Sequence, residues 1–357
     1  MVFTIPRTTT KTVQVERLEG KIAIEEAVNS PYFNAAATYP VTQSIKGCDG
    51  MPANRTVGAD IMHRLDDVPM RLESMDTSGI SYAVVSLTSP GIEGVLDADT
   101  AVELARKTND AMYEKYPKAY PTRFGFFACV AMQKPEEAAK ELERAVTQLG
   151  AKGVLINGYC NLSTADFDDV QYLDEPACEP FWAMLNKLQV PLYIHPRSPP
   201  PGQQRICQGY PALAMASFAF ATETGGHALR IMCSGVLDRH PNVRIILGHV
   251  AEGLPFFIHR AQERLKLAVE NTNGAHTKSL MYYFNNHFFA TLAGVKRAST
   301  LHAGIAEMGE SRVLFSVDYP YESNEEQADW FDSLPLAMST HRALASENAK
   351  RILKLDI

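Results

Sequence analysis

Eight short apolar runs recur along the chain, each followed by a stretch with helical periodicity. They fall at 21–25, 81–87, 124–130, 153–157, 191–195, 244–249, 287–292 and 312–318. Little polar alternation interrupts them, so they read as parallel strands buried on both faces and not as half-exposed antiparallel ones. Helix signals lie between them. Pro69 opens a segment holding Met70, Leu72 and Met75 that closes at Gly79, and Asp99 caps 100–116, which stops before Pro117. Pro135 opens 136–149, closed by Gly150; Phe181, Trp182, Leu185 and Leu188 form one apolar stripe; Ser346 caps 347–353. Strand and helix alternating eight times predict an α/β chain folded as a (β/α)8 TIM barrel, with an open doubly wound sheet as the alternative.

A chain of 357 residues, 46% of them hydrophobic, is large enough for one barrel with insertions. Residues 1–19 read as an N-terminal extension and 20–357 as a single barrel domain. Insertions at 29–60 and 196–211 follow the first and fifth strands, where rim loops wall or cover a pocket. An apolar stretch at 212–237 predicts a long helix with a face that packs in an oligomer interface.

The net charge of −7 and a pI of about 5.8, with no basic cluster, argue against nucleic acid as a partner. No apolar run approaches the roughly 20 residues that cross a bilayer. The first seventeen residues lack the apolar core of a secretory signal. Cys48, Cys129, Cys160, Cys178, Cys207 and Cys233 are scattered without CxxC pairs, as reduced thiols of a cytoplasmic protein would be.

Polar residues gather where the strands end. The first run ends in Glu25-Glu26, the fourth in Asn157, the fifth in His195-Pro196-Arg197, the sixth in Gly248-His249 and the eighth in Asp318. A barrel brings these ends to one mouth, where its chemistry sits. A carboxylate, an imidazole and a second carboxylate make a nitrogen and oxygen donor set suited to Zn2+ or Mn2+. Each residue also has a bland reading: a buried ion pair for Glu25 or Glu26, a hydrogen-bonded core imidazole for His195 or His249, a helix cap for Asp318. The joint pattern favours a site, because ionisable groups at several strand ends are costly unless paired or metal-bound. His227, on the apolar stretch, reads as a packing residue, and the remaining histidines carry no assigned chemistry.

The segments 20–27, 193–197, 246–252 and 314–322 resemble, in order, the motifs of the metal-dependent decarboxylases in the amidohydrolase superfamily. Residues 211–230 resemble the branch that acts on dihydroxybenzoates, 2,3-dihydroxybenzoate among them. The resemblance implies a TIM barrel that assembles as a homodimer or homotetramer and acts on a small aromatic acid with one divalent ion, Zn2+, Mn2+ or Mg2+. It implies Glu25, His195 and Asp318 as metal ligands, and His249 and Glu252 as a catalytic pair. Asp318, a carboxyl among other carboxylates with restricted solvent, is the candidate proton donor to the ring. Arg260, Asn157 and Arg197 correspond to residues that orient substrate. Hydrolytic relatives open with His-x-His and carry a lysine after the fourth strand, where this chain has Glu25, Ala27 and Asn157. That departure favours one metal and weakens the alternative of a lactonase-like hydrolase, while the intact set Glu25, His195, His249 and Asp318 argues against a non-enzymatic binder of aromatic acids.

Overall fold

The computed structural model describes residues 16–32, 55–163, 165–267 and 275–357. Cys48, most of the 29–60 insertion and most of the N-terminal extension therefore lie outside the described residues. Eight parallel strands follow one another: β1 (Lys21–Val28), β2 (Ile80–Leu87), β3 (Phe124–Phe126), β4 (Val154–Asn157), β5 (Leu192–His195), β6 (Ile245–Leu247), β7 (Phe288–Thr291) and β8 (Val313–Leu314). Ladders join β1 to β2 and β2 to β3, and run without a break from β4 through β8. A single parallel bridge between Ala128 and Val154 links β3 to β4.

The β8–β1 seam closes differently. The hydroxyl of Ser316 accepts from the N–H groups of Ile24 (3.0 Å) and Glu25 (2.7 Å), and the Ala27 N–H reaches the carbonyl of Tyr319 at 2.8 Å. Ser316 in turn donates to Glu26 Oε1 at 3.3 Å. Expected as a strand over 312–318, the last run holds ladder geometry only at Val313 and Leu314. Past that point the chain leaves the ladder, and one buried side chain does the work of main-chain pairing.

Inward-facing residues from all eight strands or their ends fill the barrel, among them Ile22, Val84, Leu155, Tyr193, Ile246 and Leu314. Ile352 and Leu353 join the same cluster. Two outer cores lie between the strands and the surrounding helices.

Three expected elements shift. The helix Ala98–Lys115 is capped by Asp97, whose carboxylate accepts from Thr100 N–H at 2.8 Å, while Asp99 in its first turn pairs with Lys134. Ser346 lies inside helical backbone that already begins at Met338, so it caps nothing. The 212–237 stretch is not one helix: a short turn at Pro211–Ala214 is followed by Ala219–Cys233, and Gly235, with φ 76°, breaks the chain again. Ala228, Ile231 and Met232 of this stretch pack into the outer core of the same chain, so they are unavailable to an interface.

Ser316→Ala should leave two buried N–H groups without an acceptor. At about 1–3 kcal/mol for each orphaned group, urea unfolding should show a loss of about 2–6 kcal/mol.

Candidate active site

β1 is buried along its whole length, which makes its two acidic residues the least expected part of its sequence. A bulge between Ala23 and Glu26 breaks the alternation, and bulges commonly re-aim side chains beside active sites. Glu25 joins the residues gathered at the mouth, whereas Glu26 receives Val317 N–H at 3.2 Å. Burial raises the Glu26 pKa to about 8, against the pull of the nearby Arg71 guanidinium.

Donor atoms of Glu25, His195 and Asp318 all lie within 4.8 Å of one another. His195 Nε2 is 3.8 Å from Glu25 Oε1. Glu25 Oε2 accepts from the Thr291 hydroxyl at 2.7 Å, and Tyr193 OH lies 3.2 Å from that same hydroxyl. This fixes the carboxylate and leaves Oε1 buried with no hydrogen-bond partner; Oδ1 of Asp318 is in the same position. Two unsatisfied carboxylate oxygens beside an imidazole nitrogen are unfavourable alone and suit a divalent cation. Burial lowers the His195 pKa to about 4, so the ring is neutral, the form that coordinates a metal.

His249 arrives by an unusual route. β6 ends at Leu247, and the residues His249, Val250, Ala251 and Glu252 then take φ values of 49°, 56°, 56° and 53°. Left-handed backbone costs roughly 1–2 kcal/mol for each residue bearing a Cβ, so this turn is strained. Its effect is to set His249 Nδ1 2.8 Å from Glu252 Oε1. The other ring nitrogen, Nε2, then lies 3.8 Å from Asp318 Oδ2 and 4.0 Å from Glu25 Oε1. Burial opposes protonation of His249, but Glu252, Glu25 and Asp318 together outweigh it and hold the pKa well above the usual imidazole range. Asp318, itself at φ 77°, is pushed up to about 7 by burial, against the pull of the His249 imidazole.

A cavity of about 490 Å3 opens onto His195, His249 and Asp318, with Leu96, Phe167 and Phe220 on its apolar walls. Arg197 lines it too. Its guanidinium donates to Tyr159 O and Asn161 Oδ1, both at 2.9 Å, and stacks 4.0 Å over the Tyr159 ring. Asn157 is buried and donates to Glu93 Oε2 at 3.4 Å, outside the cavity lining. Arg260 is exposed on the helix Ile258–Leu265 and does not reach the cavity within this chain. His227 is a packing residue: it accepts from Leu173 N–H at 3.0 Å, and burial lowers its pKa to about 3.

Sequence reasoning missed Thr291, Tyr321, Glu93 and Glu223. Thr291 ends β7, the one signal that pointed to it. Tyr321 lines the cavity and bonds Thr88 Oγ1 at 2.7 Å. Glu93 and Glu223 are buried carboxyls in the field of Arg197, and burial raises both to about 7.

A parallel barrel with nitrogen and oxygen donors converging at the C-terminal mouth of its strands is the frame of a metal-dependent barrel enzyme. The family model described as amidohydrolase matches residues 61–355. The γ-resorcylate decarboxylase of Rhizobium sp. strain MTP-10005 is 37% identical over 341 residues, covering 95% of this chain and 99% of that one. A crystal structure of 2,6-dihydroxybenzoate decarboxylase with 2,6-dihydroxybenzoate bound superimposes with a TM-score of 0.85 at 36% identity, covering 95% of this chain and all of the other. A dihydroxybenzoic acid decarboxylase from Polaromonas sp. JS666, holding manganese and the inhibitor 2-nitroresorcinol, gives 0.85 at 35% identity, covering 95% and 98%. The chain belongs to the amidohydrolase family, in its branch of metal-dependent decarboxylases.

Glu223 yields a pH test. Its folded pKa of about 7 exceeds the ordinary value of 4.5, so the stability tied to its proton is fully present below pH 4.5 and lost as pH rises through 7. Glu223→Gln keeps the neutral form at every pH. The variant should therefore unfold at higher denaturant than the parent at pH 8, and the gap should narrow toward pH 5.

Proposed function

We propose that this protein catalyses the reversible, non-oxidative decarboxylation of an ortho-hydroxybenzoate, with 2,3-dihydroxybenzoate the first substrate to test. The observation that carries this reading is the meeting of Glu25, His195, Asp318 and the His249–Glu252 pair at the polar end of an otherwise apolar cavity. Dihydroxybenzoates are what the relatives named above act on or bind.

Glu25, His195 and Asp318 would hold one divalent ion, manganese being the first candidate. When bound, that ion supplies Lewis-acid neutralisation of the substrate's carboxylate and adjacent oxygen. The chain supplies the proton. Expelling CO2 from the ring directly would leave an aryl carbanion, so the ring carbon bearing the carboxylate is protonated first. Asp318, which holds its proton near neutral pH, delivers it. The ortho oxygen takes carbonyl character as aromaticity is lost. The C–C bond then breaks, its electrons return to the ring, and CO2 leaves, so one proton is consumed for each CO2 released. His249, charged and fixed by Glu252, sets the protonation of Asp318 and faces the ortho oxygen. Arg197 presents the cation of the cavity wall to the substrate, and Asn157 supports β4 beneath it. Arg260 has no part in this reading of the single chain.

The apolar side chains of Ile206, Tyr210, Phe218 and Phe256 stand exposed and support a homodimer or homotetramer. Light scattering should give a mass of two or four chains; a monomer at assay concentration would contradict this. Residues 20–357 are read as one domain, and the free thiols suit a cytoplasmic setting. No described helix is long and apolar enough to cross a membrane.

The purified protein should release CO2 and catechol from 2,3-dihydroxybenzoate, lose that activity to a chelator and regain it with Mn2+. Asp318→Asn should lower kcat by about a hundredfold or more, the scale of a general acid. A ring-opened or hydrolysed product would instead mark a lactonase-like enzyme. An Asp318→Asn protein with near-normal kcat would remove the proton donor from the scheme.

A further inference from the structure

None of the four residues of the left-handed turn His249–Glu252 is glycine, so backbone preference does not favour it, and the one side-chain bond inside it joins His249 to Glu252. Packing from outside adds to that bond, and glycines beside the turn make room for it. A Cβ on Gly248 would meet Glu25 Oε1 at 2.7 Å, and one on Gly294, after β7, would lie 3.3 Å from His249 Cδ2. The tightest packing against the turn itself is at Gly304, in the helix Ala298–Met308. A Cβ there would fall 2.7 Å from Val250 Cγ1. Val250 is 1% exposed, and as a β-branched residue it has little rotamer freedom with which to yield.

We propose that Val250 and Gly304 form a knob and a socket that positions the His249–Glu252 pair, making Gly304 a positioning residue for the reaction although it touches no reacting atom. The strained backbone has one seat: Val250 fills the space that the missing side chain of residue 304 leaves. With Val250 seated, His249 projects into the mouth and Glu252 lies back under its ring. Filling the socket displaces Val250 and swings both neighbours away from Asp318. The inference rests on the decarboxylase reading only for its kinetic assay, because the seating of His249 has a signature that needs no substrate.

The test uses Gly304→Ala, Val250→Ala and the double variant, in which one side chain's methyl group is restored to the shared space as the other loses two. Ala is a better helix former than Gly, so Gly304→Ala should not unfold the helix, and thermal melts check this. For Gly304→Ala, kcat on the best of the assayed hydroxybenzoates should fall about tenfold to a hundredfold, the effect of misplacing a catalytic group by an ångström or less. KM and affinity for Mn2+ should stay within about twofold. The downfield proton resonance of the His249 imidazole N–H bonded to Glu252 should shift or broaden. Val250→Ala in the same chain should bring both kcat and that resonance back toward the parent.

A folded Gly304→Ala protein with parental kcat and an unmoved resonance would overturn the proposal. So would equal losses in kcat, KM and metal affinity that the second substitution does not repair, since those mark general destabilisation. If the parent shows no decarboxylation, the reading under "Proposed function" fails by itself, and the resonance alone then decides whether the socket seats His249.

Discussion

Glu25 and Asp318 come from the two ends of the barrel's chain, and their carboxylates lie within 4.8 Å of each other, each with one buried oxygen that has no hydrogen-bond partner. Like charges brought this close out of water are unfavourable unless a cation lies between them or one holds a proton. Much of the site follows from that constraint. Asp318 is raised into the range where it can carry a proton, and His249 is held charged by the carboxylates around it. His195 is kept neutral by burial and offers a lone pair. Burial and the crowded carboxylates, Glu252 among them, together set the protonation state of each of these side chains.

The same meeting depends on how the barrel closes. At the β8–β1 seam a serine hydroxyl, accepting from two successive N–H groups, takes the place of ladder pairing. Releasing the chain from the ladder at Phe315 lets it turn, so that Asp318 comes back over the barrel mouth with both Tyr321 and Glu322 N–H groups donating to its carbonyl. The bulge in β1 performs the matching task on the other side, giving Glu25 the mouth and Glu26 the Val317 N–H. Irregularity is concentrated where the function is. From β4 to β8 the ladders keep regular parallel register.

The barrel was legible in the sequence because strands buried on both faces leave continuous apolar runs, and because helices between them announce themselves by caps and stripes. The mouth residues Glu25, His195, His249 and Asp318 were legible because an ionisable group at the end of such a run is costly and therefore conspicuous. What could not be read was geometry without a compositional mark. The left-handed turn at 249–252 has ordinary residues in it, and the glycines that accommodate it, Gly294 and Gly304, lie in two other segments of the chain. The 212–237 stretch reads as one helix because apolar residues continue across both of its breaks, the non-helical residues between Ala214 and Ala219 and the positive φ of Gly235. Arg260 is an instructive case: the motif places it by analogy, while the fold leaves it exposed on an outer helix.

In the proposed reaction the ring carbon carrying the carboxylate takes a proton and gives up CO2 in a site that depends on the bound metal. Turnover of 2,3-dihydroxybenzoate in deuterium oxide, followed by NMR of the product, tests this most directly. The account predicts catechol with one deuterium at the carbon that bore the carboxylate, formed with manganese and absent after chelation. Catechol formed equally well by the metal-free protein, or a metal-dependent product that retains the carboxyl carbon, would contradict it.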